Sequence, residues 1–284
     1  MACIIDGKEL AKKIKDELKK EVNELKSQNI FPKLAVVMVG NDPSSKIYVR
    51  NKSKACEEVG IEYEEYLLNE ETTMEELLEL IDKLNNDVKI HGILVQSPIP
   101  KHLDINKAFR TISEKKDVDG FHPTNVGKLC LGQNTFVSCT PFGIMKMLEE
   151  YNIEIEGKNA VIIGRSNIVG KPMLQCLMSK NATVTVCHSK TKNLPEIVKN
   201  ADIVVAAIGK AKFVTQDMVK EGAVVIDVGI NRGEDGKLCG DVDFENVVNK
   251  AGFITPVPGG VGPMTIAMLM NNIVKAAKEF QRNV

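Results

Sequence analysis

Several features of membrane, secreted or nucleic-acid-binding proteins are missing from this sequence of 284 residues. No apolar run approaches the roughly 20 residues of a membrane-spanning helix, so we expect no membrane association. The formal net charge of -1 gives no excess of Lys and Arg, so we expect no nucleic-acid partner. The first residues lack a basic region followed by an apolar stretch, so we expect no secretory signal and a cytoplasmic location.

Paired cysteine spacing is also missing. The seven cysteines are odd in number, scattered, and never arranged as Cys-x-x-Cys. This pattern argues against a disulfide framework and against a structural zinc site, so we expect reduced thiols and no bound metal. The composition is that of a globular protein, with 43% hydrophobic and 26% charged residues, and the length suits two domains.

Short apolar runs alternate with helical spacing along the chain. The predicted strands lie at 34–40, 61–68, 91–96, 159–164, 183–187, 203–208, 224–228 and 253–255. The predicted helix starts are marked by Asp6, by Asp42 before Pro43, and by Thr73 before Glu76. This alternation predicts an α/β fold with an N-terminal α/β domain, a C-terminal Rossmann-like, doubly wound parallel sheet, and a cleft between them.

Residues from about 115 to 141 are rich in Gly, Pro, Asp and Asn, which predicts a loop-rich domain junction. We therefore assign an N-terminal domain to 1–120 and the Rossmann domain to 121–264. A last helix is predicted from about 263 to 282, because its apolar residues form one stripe. We expect this C-terminal helix, within 265–284, to pack back on the N-terminal domain.

Residues 161–172 predict a dinucleotide-binding turn, because a buried strand leads through glycines into a helix. Gly164 permits the tight turn, Ser166 replaces the second glycine of the usual pattern, and the third falls at Gly170. Small side chains here let a pyrophosphate approach backbone N–H groups at the positive end of a helix. Alone the motif is weak, because a purely structural glycine turn has the same pattern.

The end of the next strand favours NADP over NAD. Residues 187–191 lack the Asp or Glu that accepts a hydrogen bond from the ribose 2′-OH in NAD enzymes. Ser189 and Lys190 instead offer hydrogen-bond donors for a 2′-phosphate, and the guanidinium of Arg165 adds a positive charge with paired N–H donors. The alternative is a solvated basic loop.

Tyr48 and Lys52 lie four residues apart and share one face of a predicted helix. Apolar neighbours would desolvate the amine and suit Lys52 to proton transfer, although spacing alone favours a plain surface pair. Gln96 ends a buried strand, where a neutral amide either orients a lysine or caps a turn. Asp119 lies in a turn, where it either receives N–H groups of an amino-pyrimidine ring or bonds its own backbone. His122 and His188 are lesser candidates.

Residues 255–264 contain three prolines and three glycines, so this stretch is predicted to be neither helix nor inner strand. Gly259 and Gly260 have no side chains to keep their backbone away from a flat ligand. A structural connector before the final helix is the alternative.

Together these segments closely resemble the bifunctional methylenetetrahydrofolate dehydrogenase/methenyltetrahydrofolate cyclohydrolase family, known as the FolD type. The matching stretches are Ser45-x-x-Tyr48-x-x-x-Lys52, Thr140-Pro-x-Gly143, 95–100, 116–120, 164–170, 187–191, 227–231 and 256–265. They follow the family's order and jointly are highly specific. One departure is Ser97, where the family usually has Leu.

The resemblance implies NADP-dependent oxidation of 5,10-methylenetetrahydrofolate to 5,10-methenyltetrahydrofolate, followed by hydrolysis to 10-formyltetrahydrofolate. It also implies a homodimer and a role in tetrahydrofolate interconversion, one-carbon metabolism and purine biosynthesis. Lys52 would be the general acid/base of the hydrolysis, and Gln96 would tune it. Tyr48 would stack on the aminobenzoate ring of the folate, and Asp119 would anchor the pterin.

The resemblance further implies a binding role for residues of the second half. The folate pocket would be lined by Gly259, Gly260 and Pro263. NADP would be held by Gly164, Arg165, Ser166, Ser189 and the backbone of Ile230.

Three alternatives remain open to the sequence. A short-chain dehydrogenase also uses Tyr-x-x-x-Lys, but there the Tyr follows the glycine turn, whereas Tyr48 precedes Gly164. An NADP-dependent dehydrogenase of another small substrate would not need Gln96 or Asp119. A non-catalytic NADP-binding protein would not need Lys52.

Overall fold

The computed structural model describes residues 1–233 and 236–281. The helices are α1 (Gly7–Ser27), α2 (Pro43–Val59), α3 (Met74–Asn86), α4 (Ile105–Thr111), α5 (Pro123–Cys130), α6 (Cys139–Glu150), α7 (Gly170–Met178), α8 (Leu194–Lys199), α9 (Phe244–Val247) and α10 (Val261–Gln281). The strands are β1 (Cys3–Ile4), β2 (Lys33–Val39), β3 (Glu62–Leu68), β4 (Gly92–Val95), β5 (Asn159–Ile163), β6 (Thr183–Cys187), β7 (Ile203–Ala206), β8 (Val224–Asp227), β9 (Asn231–Arg232), β10 (Leu238–Cys239) and β11 (Phe253–Ile254).

The chain divides into two compact units. Residues 1–11 and 138–265 form one, which we call the six-stranded unit. Residues 12–137, with the described residues from 266 onward, form the other, which we call the three-stranded unit. The domain bounds at 120/121 and 264/265 stay a prediction.

The six-stranded unit is built on a parallel sheet with the strand order β1-β11-β8-β7-β5-β6. Every residue of β7 and β8 is buried, since a parallel sheet covered on both faces takes continuous runs of Val and Ile. The short strand β1 adds an edge through pairing with β11, which lies about 250 residues later in the chain. The predicted Rossmann-like parallel sheet is confirmed.

The three-stranded unit has the parallel order β3-β2-β4, with β2 in the centre. All of β2 after Lys33 is buried. One face of the sheet packs on Leu77, Ile81 and Leu84, which recur at helical spacing along α3. The predicted two-domain α/β class is therefore confirmed. No helix in the described ranges is long and apolar enough to cross a bilayer.

Two expectations from the sequence need correction. The region from 115 to 141 is less loop-rich than predicted, because it contains α5, whose start has Pro123 in the first turn and a cap from His122. Helix α10 starts at Val261, so Gly262 and Pro263 are helical although the stretch 255–264 was predicted to exclude helix. A proline in a first helical turn removes only an N–H that has no partner within the helix.

Helix α10 lies within the three-stranded unit from Ile266 onward. Met270 contacts Cys56 of α2, with 3.7 Å between the two sulfur atoms, and Lys278 donates to a carboxylate oxygen of Glu21 at 2.5 Å. Of the predicted C-terminal helix, residues 282–284 lie outside the described residues.

Helix α3 begins with a capping box. The hydroxyl of Thr73 accepts from the N–H of Glu76 at 3.2 Å, and the Glu76 carboxylate accepts from the N–H of Thr73 at 2.9 Å. We expect Thr73→Ala to lower the free energy of unfolding by about 1 kcal/mol, because the N–H of Glu76 loses the hydroxyl that accepts its hydrogen bond. Urea denaturation followed by circular dichroism measures this. Thr73→Ser, which keeps the hydroxyl, should match the wild type; equal losses in both variants would contradict the cap.

Candidate active site

Helix α2 carries two of the predicted site residues, and the local sequence fixes both of its ends. The carboxylate of Asp42 accepts a hydrogen bond from the backbone N–H of Ser45 at 2.7 Å. Gly60 ends the helix in the left-handed region, with a φ of 86°. Tyr48 and Lys52 lie between these ends, one turn apart and on one face of the helix, as predicted.

Lys52 and Gln96 are brought into direct contact. Lys52 Nζ donates to Oε1 of Gln96 over 2.9 Å, although the two residues are 44 positions apart. Gln96 follows β4, is 7% exposed, and is held by its backbone N–H, which donates to the oxygen of Val37 at 2.8 Å. Its Nε2 donates to the main-chain oxygen of Ser97 at 2.6 Å. This second bond leaves Oε1 of the amide directed at the lysine.

The departure at position 97 does not disturb this amide. The atom of Ser97 that accepts from Gln96 belongs to the main chain, which every residue type provides. The Ser97 side chain is exposed. A Ser in place of the family's usual Leu therefore leaves the orientation of Gln96 unchanged.

An apolar surface lies beside the amine. Cys56, one turn beyond Lys52, is completely buried against Met270. Burial raises the pKa of the Cys56 thiol to about 12, and the charge of Lys52 opposes this only in part. The thiol is therefore protonated at neutral pH and acts as a small apolar group. Tyr48 is 42% exposed, so its ring is accessible to a ligand.

Asp119 lies in a turn whose preceding residues are buried and hydrogen-bonded. Lys116 Nζ donates to the main-chain oxygens of Leu84 and Asp87, at 3.0 and 2.7 Å. Burial lowers the pKa of the Lys116 amine, so these two acceptors replace part of its lost hydration. Lys116 thus ties the start of the turn to the end of α3.

Asp117 fixes the rest of the turn. Its carboxylate accepts from the N–H of Phe121 at 3.1 Å, from the N–H of His122 at 2.8 Å and from Nδ2 of Asn125 at 2.8 Å. Burial raises the pKa of this carboxyl, while the three donors favour its charged form. The hydrogen bonds of Asp117 therefore fix the shape of the turn, and this shape sets the position of the half-buried Asp119.

Two buried amides that sequence analysis missed complete this region. Asn272 of α10 donates from Nδ2 to the oxygens of Val118 and Val137, at 2.8 and 3.1 Å. Oδ1 of Asn125 accepts from the hydroxyl of Thr135 at 2.8 Å. Asn272 is 1% exposed within an apolar helix. A lone amide in such a stripe is the sequence signal that identifies it, since buried polar groups require partners.

In the six-stranded unit, the predicted dinucleotide turn follows β5. Gly164 has a φ of 130°, and a Cβ there would lie 2.2 Å from the oxygen of Ala207. A Cβ on Gly170, the first residue of α7, would lie 2.2 Å from the oxygen of Gly164. Both positions therefore require glycine, and the start of α7 packs directly on the turn. This is the cradle that a pyrophosphate needs.

The side chain of Ser166 holds the turn that leads into α7. Its Oγ accepts from the N–H groups of Val169 and Gly170, at 3.1 and 3.4 Å. Arg165 and Ser166 are both exposed. The serine that replaces the second glycine of the usual pattern therefore organises the helix start and leaves Arg165 accessible.

The loop after β6 folds on itself. The N–H of His188 donates to Oγ1 of Thr191 at 2.8 Å, and the N–H of Lys190 donates to Nδ1 of His188 at 3.1 Å. Ser189 and Lys190 are exposed between these bonds. His188 thus shapes a turn, as His122 does where its Nδ1 accepts from the N–H of Thr124 at 3.1 Å.

The glycine turn and the loop after β6 lie at one edge of the sheet. The N–H of Gly164 donates to the oxygen of Cys187 at 2.9 Å, which joins the two strand ends. Arg165 directly follows Gly164, and Ser189 lies two residues after Cys187. Hydroxyl and cationic donors, with no carboxylate in residues 187–191, form an edge suited to a phosphate.

Ile230 follows β8 at the same edge, and its side chain is 52% exposed. Asp227, the last residue of β8, is buried and accepts from three backbone N–H groups. Burial nevertheless raises the pKa of the Asp227 carboxyl to about 6. This carboxylate lies outside the predicted set of site residues.

The glycine-rich segment packs on the start of α1. The oxygen of Gly259 accepts from the N–H of Lys8 at 2.9 Å, and a Cβ on Gly7 would lie 2.0 Å from the oxygen of Gly260. Gly259 has a φ of 108°, which favours glycine. Pro263 is half-buried in the first turn of α10.

The predicted residues are divided between the two units. The three-stranded unit contains Tyr48, Lys52, Gln96 and Asp119. The six-stranded unit contains Gly164, Arg165, Ser166, Ser189, Ile230, Gly259, Gly260 and Pro263. In the part of the chain that the structure describes, no group of three or more His, Cys, Asp or Glu side chains is placed to hold a metal.

Comparison with known proteins gives matches along nearly the whole chain. Residues 5–119 match the family model described as the catalytic domain of tetrahydrofolate dehydrogenase/cyclohydrolase, and residues 138–281 match its NAD(P)-binding domain. The bifunctional protein FolD of Lachnoclostridium phytofermentans is 62% identical over 281 residues, which cover 99% of this chain and 100% of that protein.

Solved structures agree. The bifunctional FolD methylenetetrahydrofolate dehydrogenase/cyclohydrolase of Campylobacter jejuni has a TM-score of 0.97 and 55% identity, covering 98% of this chain and 99% of the other. The Trypanosoma brucei FolD enzyme, solved with NADP and an inhibitor, has a TM-score of 0.94 and 38% identity over 99% of both chains. These matches confirm the resemblance seen in the sequence: the chain belongs to the tetrahydrofolate dehydrogenase/cyclohydrolase family.

Proposed function

We propose that this protein oxidises 5,10-methylenetetrahydrofolate with NADP⁺ and hydrolyses the resulting 5,10-methenyltetrahydrofolate to 10-formyltetrahydrofolate. The observation that carries the proposal is the bond of 2.9 Å between Lys52 and the buried amide of Gln96. It lies in a chain that matches both the catalytic and the NAD(P)-binding family models. A fixed amine suits proton transfer, and the second family model accounts for the redox step.

The six-stranded unit fits NADP. Gly164 and Gly170 form a cradle in which any Cβ would collide with backbone, and the pyrophosphate binds there with help from Ser166. Arg165 and Ser189 bind the 2′-phosphate, and the backbone of Ile230 meets the nicotinamide side. When bound, NADP⁺ supplies the hydride acceptor for the first reaction.

Lys52 moves the proton in the second reaction. A water molecule adds to the one-carbon bridge of the methenyl cation, and Lys52 removes a proton from it. Lys52 then returns this proton to N5 as the C–N5 bond breaks, and the remaining hydroxyl proton of the carbinol leaves to solvent as the formyl C=O forms, which gives 10-formyltetrahydrofolate and one released proton. Gln96 holds the amine through a neutral oxygen. A carboxylate in its place would stabilise the ammonium form and remove the base.

Other residues bind the folate. The exposed ring of Tyr48 stacks on the aminobenzoate ring, and Asp119 accepts N–H groups of the pterin. The segment of Gly259, Gly260 and Pro263 lines the folate pocket. We also propose that residues 1–120, with the helix from 265, form the catalytic domain, and that 121–264 form the NADP domain. The family matches at 5–119 and 138–281 support this division in outline.

An NADP-dependent dehydrogenase of another small substrate is not favoured, because the catalytic family model matches residues 5–119 as well. We further propose a homodimer, a cytoplasmic location, and a place in one-carbon metabolism that serves purine biosynthesis. The family resemblance supports all three. For the dimer, β6 adds an edge strand of the six-stranded sheet, a position where backbone groups are open to pairing.

Lys52→Met should abolish the hydrolysis of 5,10-methenyltetrahydrofolate, with a loss of about 10²- to 10⁴-fold, the usual contribution of a general acid/base. The measurement is the decay of methenyl absorbance, with thermal unfolding and NADP binding as checks on folding. Lys54→Met removes an exposed lysine from the same helix and should hydrolyse at the wild-type rate. Hydrolysis retained by Lys52→Met would refute the assigned role.

Asp119→Ala should weaken folate binding about 10- to 100-fold, the effect of losing charged hydrogen bonds, and should leave NADP binding unchanged. Calorimetric titration with each ligand separates the two effects. Asp82→Ala removes an exposed carboxylate from α3 and should bind both ligands normally. Equal losses of folate and NADP affinity would point to misfolding and reject Asp119 as the pterin anchor.

Gly170→Ala should weaken NADP binding about tenfold or more, because its Cβ would lie 2.2 Å from the oxygen of Gly164 and force the turn open. Cyclohydrolase activity without nucleotide should persist. Gly127→Ala is the control, since a Cβ there meets no atom within 4 Å. Unchanged NADP affinity in Gly170→Ala would show that the nucleotide does not bind at this turn.

A further inference from the structure

Two buried carboxylates lie beside the dinucleotide edge of the six-stranded unit. Asp227 is 3% exposed and Asp241 is fully buried. Burying a carboxylate is costly unless hydrogen bonds replace its water. Among the described residues, the donors to both are backbone N–H groups, apart from the side-chain amide of Asn231.

Asp241 gathers the loop that follows β7. Its Oδ2 accepts from the N–H groups of Ile208 and Gly209, at 2.7 and 3.0 Å. Its Oδ1 accepts from the N–H of Lys210 at 2.8 Å and from Nδ2 of Asn231 at 2.9 Å. Three successive backbone groups thus converge on one side chain, which fixes the path of the loop.

Asp227 holds Asp241 in turn. Its Oδ1 accepts from the N–H groups of Gly229 and Asp241, both at 2.9 Å, and its Oδ2 accepts from the N–H of Val242 at 2.9 Å. A Cβ on Gly240 would lie 1.8 Å from Oδ2 of Asp227. Asp227 therefore supports the backbone of Asp241, which in turn holds the loop after β7, and position 240 packs too closely on Asp227 for a side chain.

The loop after β7, which Asp241 holds, lies against the dinucleotide turn. Strands β8, β7 and β5 are neighbours in the sheet, and β5 leads into Gly164. The oxygen of Ala207, in the loop after β7, is the atom that a Cβ on Gly164 would strike. Ligands bind at the carboxyl ends of such strands. The position of this backbone therefore sets the shape of the surface that a dinucleotide meets.

We infer that Asp241, supported by Asp227, is a positioning residue for NADP: it holds the backbone of 208–210 and 228–231 in the conformation that binds the nicotinamide half. The inference rests on the proposed function, since it assumes NADP at this edge. Asp241 does not touch the nucleotide. Its effect passes through the N–H groups that it fixes.

Asp241→Asn tests this with little change in shape. The amide places an N–H group against backbone N–H donors, so the loops must shift. We expect NADP affinity, measured by calorimetry, to fall about tenfold or more, and the KM for NADP to rise in proportion. Cyclohydrolase activity without nucleotide should stay within about twofold of the wild type, because its residues lie in the other unit.

Asp202→Asn is the matched control. Asp202 also accepts a hydrogen bond from a backbone N–H, that of Asn159 at 2.9 Å. Asn159 is the first residue of β5, so this bond lies at the end of the strand away from the dinucleotide turn. NADP affinity should be unchanged in this variant. A general effect of removing a carboxylate from the six-stranded unit would appear in both variants.

Unchanged NADP affinity in Asp241→Asn would overturn the inference, as would an equal loss of affinity and cyclohydrolase activity, which would indicate a purely structural role. If Asp241→Asn does not fold, Asn231→Ala decides, because it removes a single donor to Asp241. Weaker NADP binding in that variant supports the inference and unchanged binding refutes it. A wild-type protein that binds NADP without oxidising the folate would refute the proposed function instead.

Discussion

Loops and turns carry backbone N–H groups that have no carbonyl acceptor in a neighbouring strand or helix. In this protein, buried carboxylates accept hydrogen bonds from several of them. Asp117 does so in the three-stranded unit, and Asp227 and Asp241 do so in the six-stranded unit. Each carboxylate exchanges hydration for several short N–H bonds, which makes burial of its charge tolerable. In each unit these hydrogen bonds fix the backbone next to residues that are proposed to bind ligands.

A fixed backbone explains how Gln96 and Lys52 come into contact, although the sequence pattern around each residue alone only weakly indicated a functional role. The amide of Gln96 is oriented by a main-chain oxygen, and Lys52 is then oriented by the amide. The amide thus links the end of β4 to the amine of Lys52 through two hydrogen bonds, one on each side of the Gln96 side chain. A general acid/base must both give and accept a proton, and a neutral partner leaves either state accessible.

The sequence predicted what depends on neighbouring residues. Asp42 and Gly60 mark the ends of α2, and continuous Val and Ile runs mark the inner strands of the six-stranded sheet. Prediction from the sequence failed where contacts between residues far apart in the chain determine the local structure. Strand β1 forms only because β11 lies beside it, and α5 depends on a cap from His122 in a stretch rich in loop-forming residues. The role inferred for Asp241 could not be read from the sequence either, because its backbone donors lie 31 to 33 residues earlier in the chain.

The candidate site divides in the same way. The spacing of Tyr48 and Lys52 and the glycines at 164 and 170 are local patterns with direct physical meaning. The contact of Gln96 with Lys52 is not local, and from the residues alone only the position of Gln96 at a strand end indicated it, whereas the family resemblance implied the pairing directly. Asn272 is the clearest case of a contact that the sequence alone could not predict, since its two acceptors lie 135 and 154 residues away.

The Cys56 thiol, one helical turn from the amine proposed to be catalytic, affects the chemical reactivity of this region. Only the thiolate reacts readily with peroxides and electrophiles, and burial raises the pKa of the Cys56 thiol to about 12, so this thiol stays protonated at neutral pH. Its burial against Met270 also denies such reagents an approach. Cys56 therefore adds no second reactive group beside the amine of Lys52, and we expect peroxides and thiol-directed reagents to leave this cysteine unmodified in the folded protein.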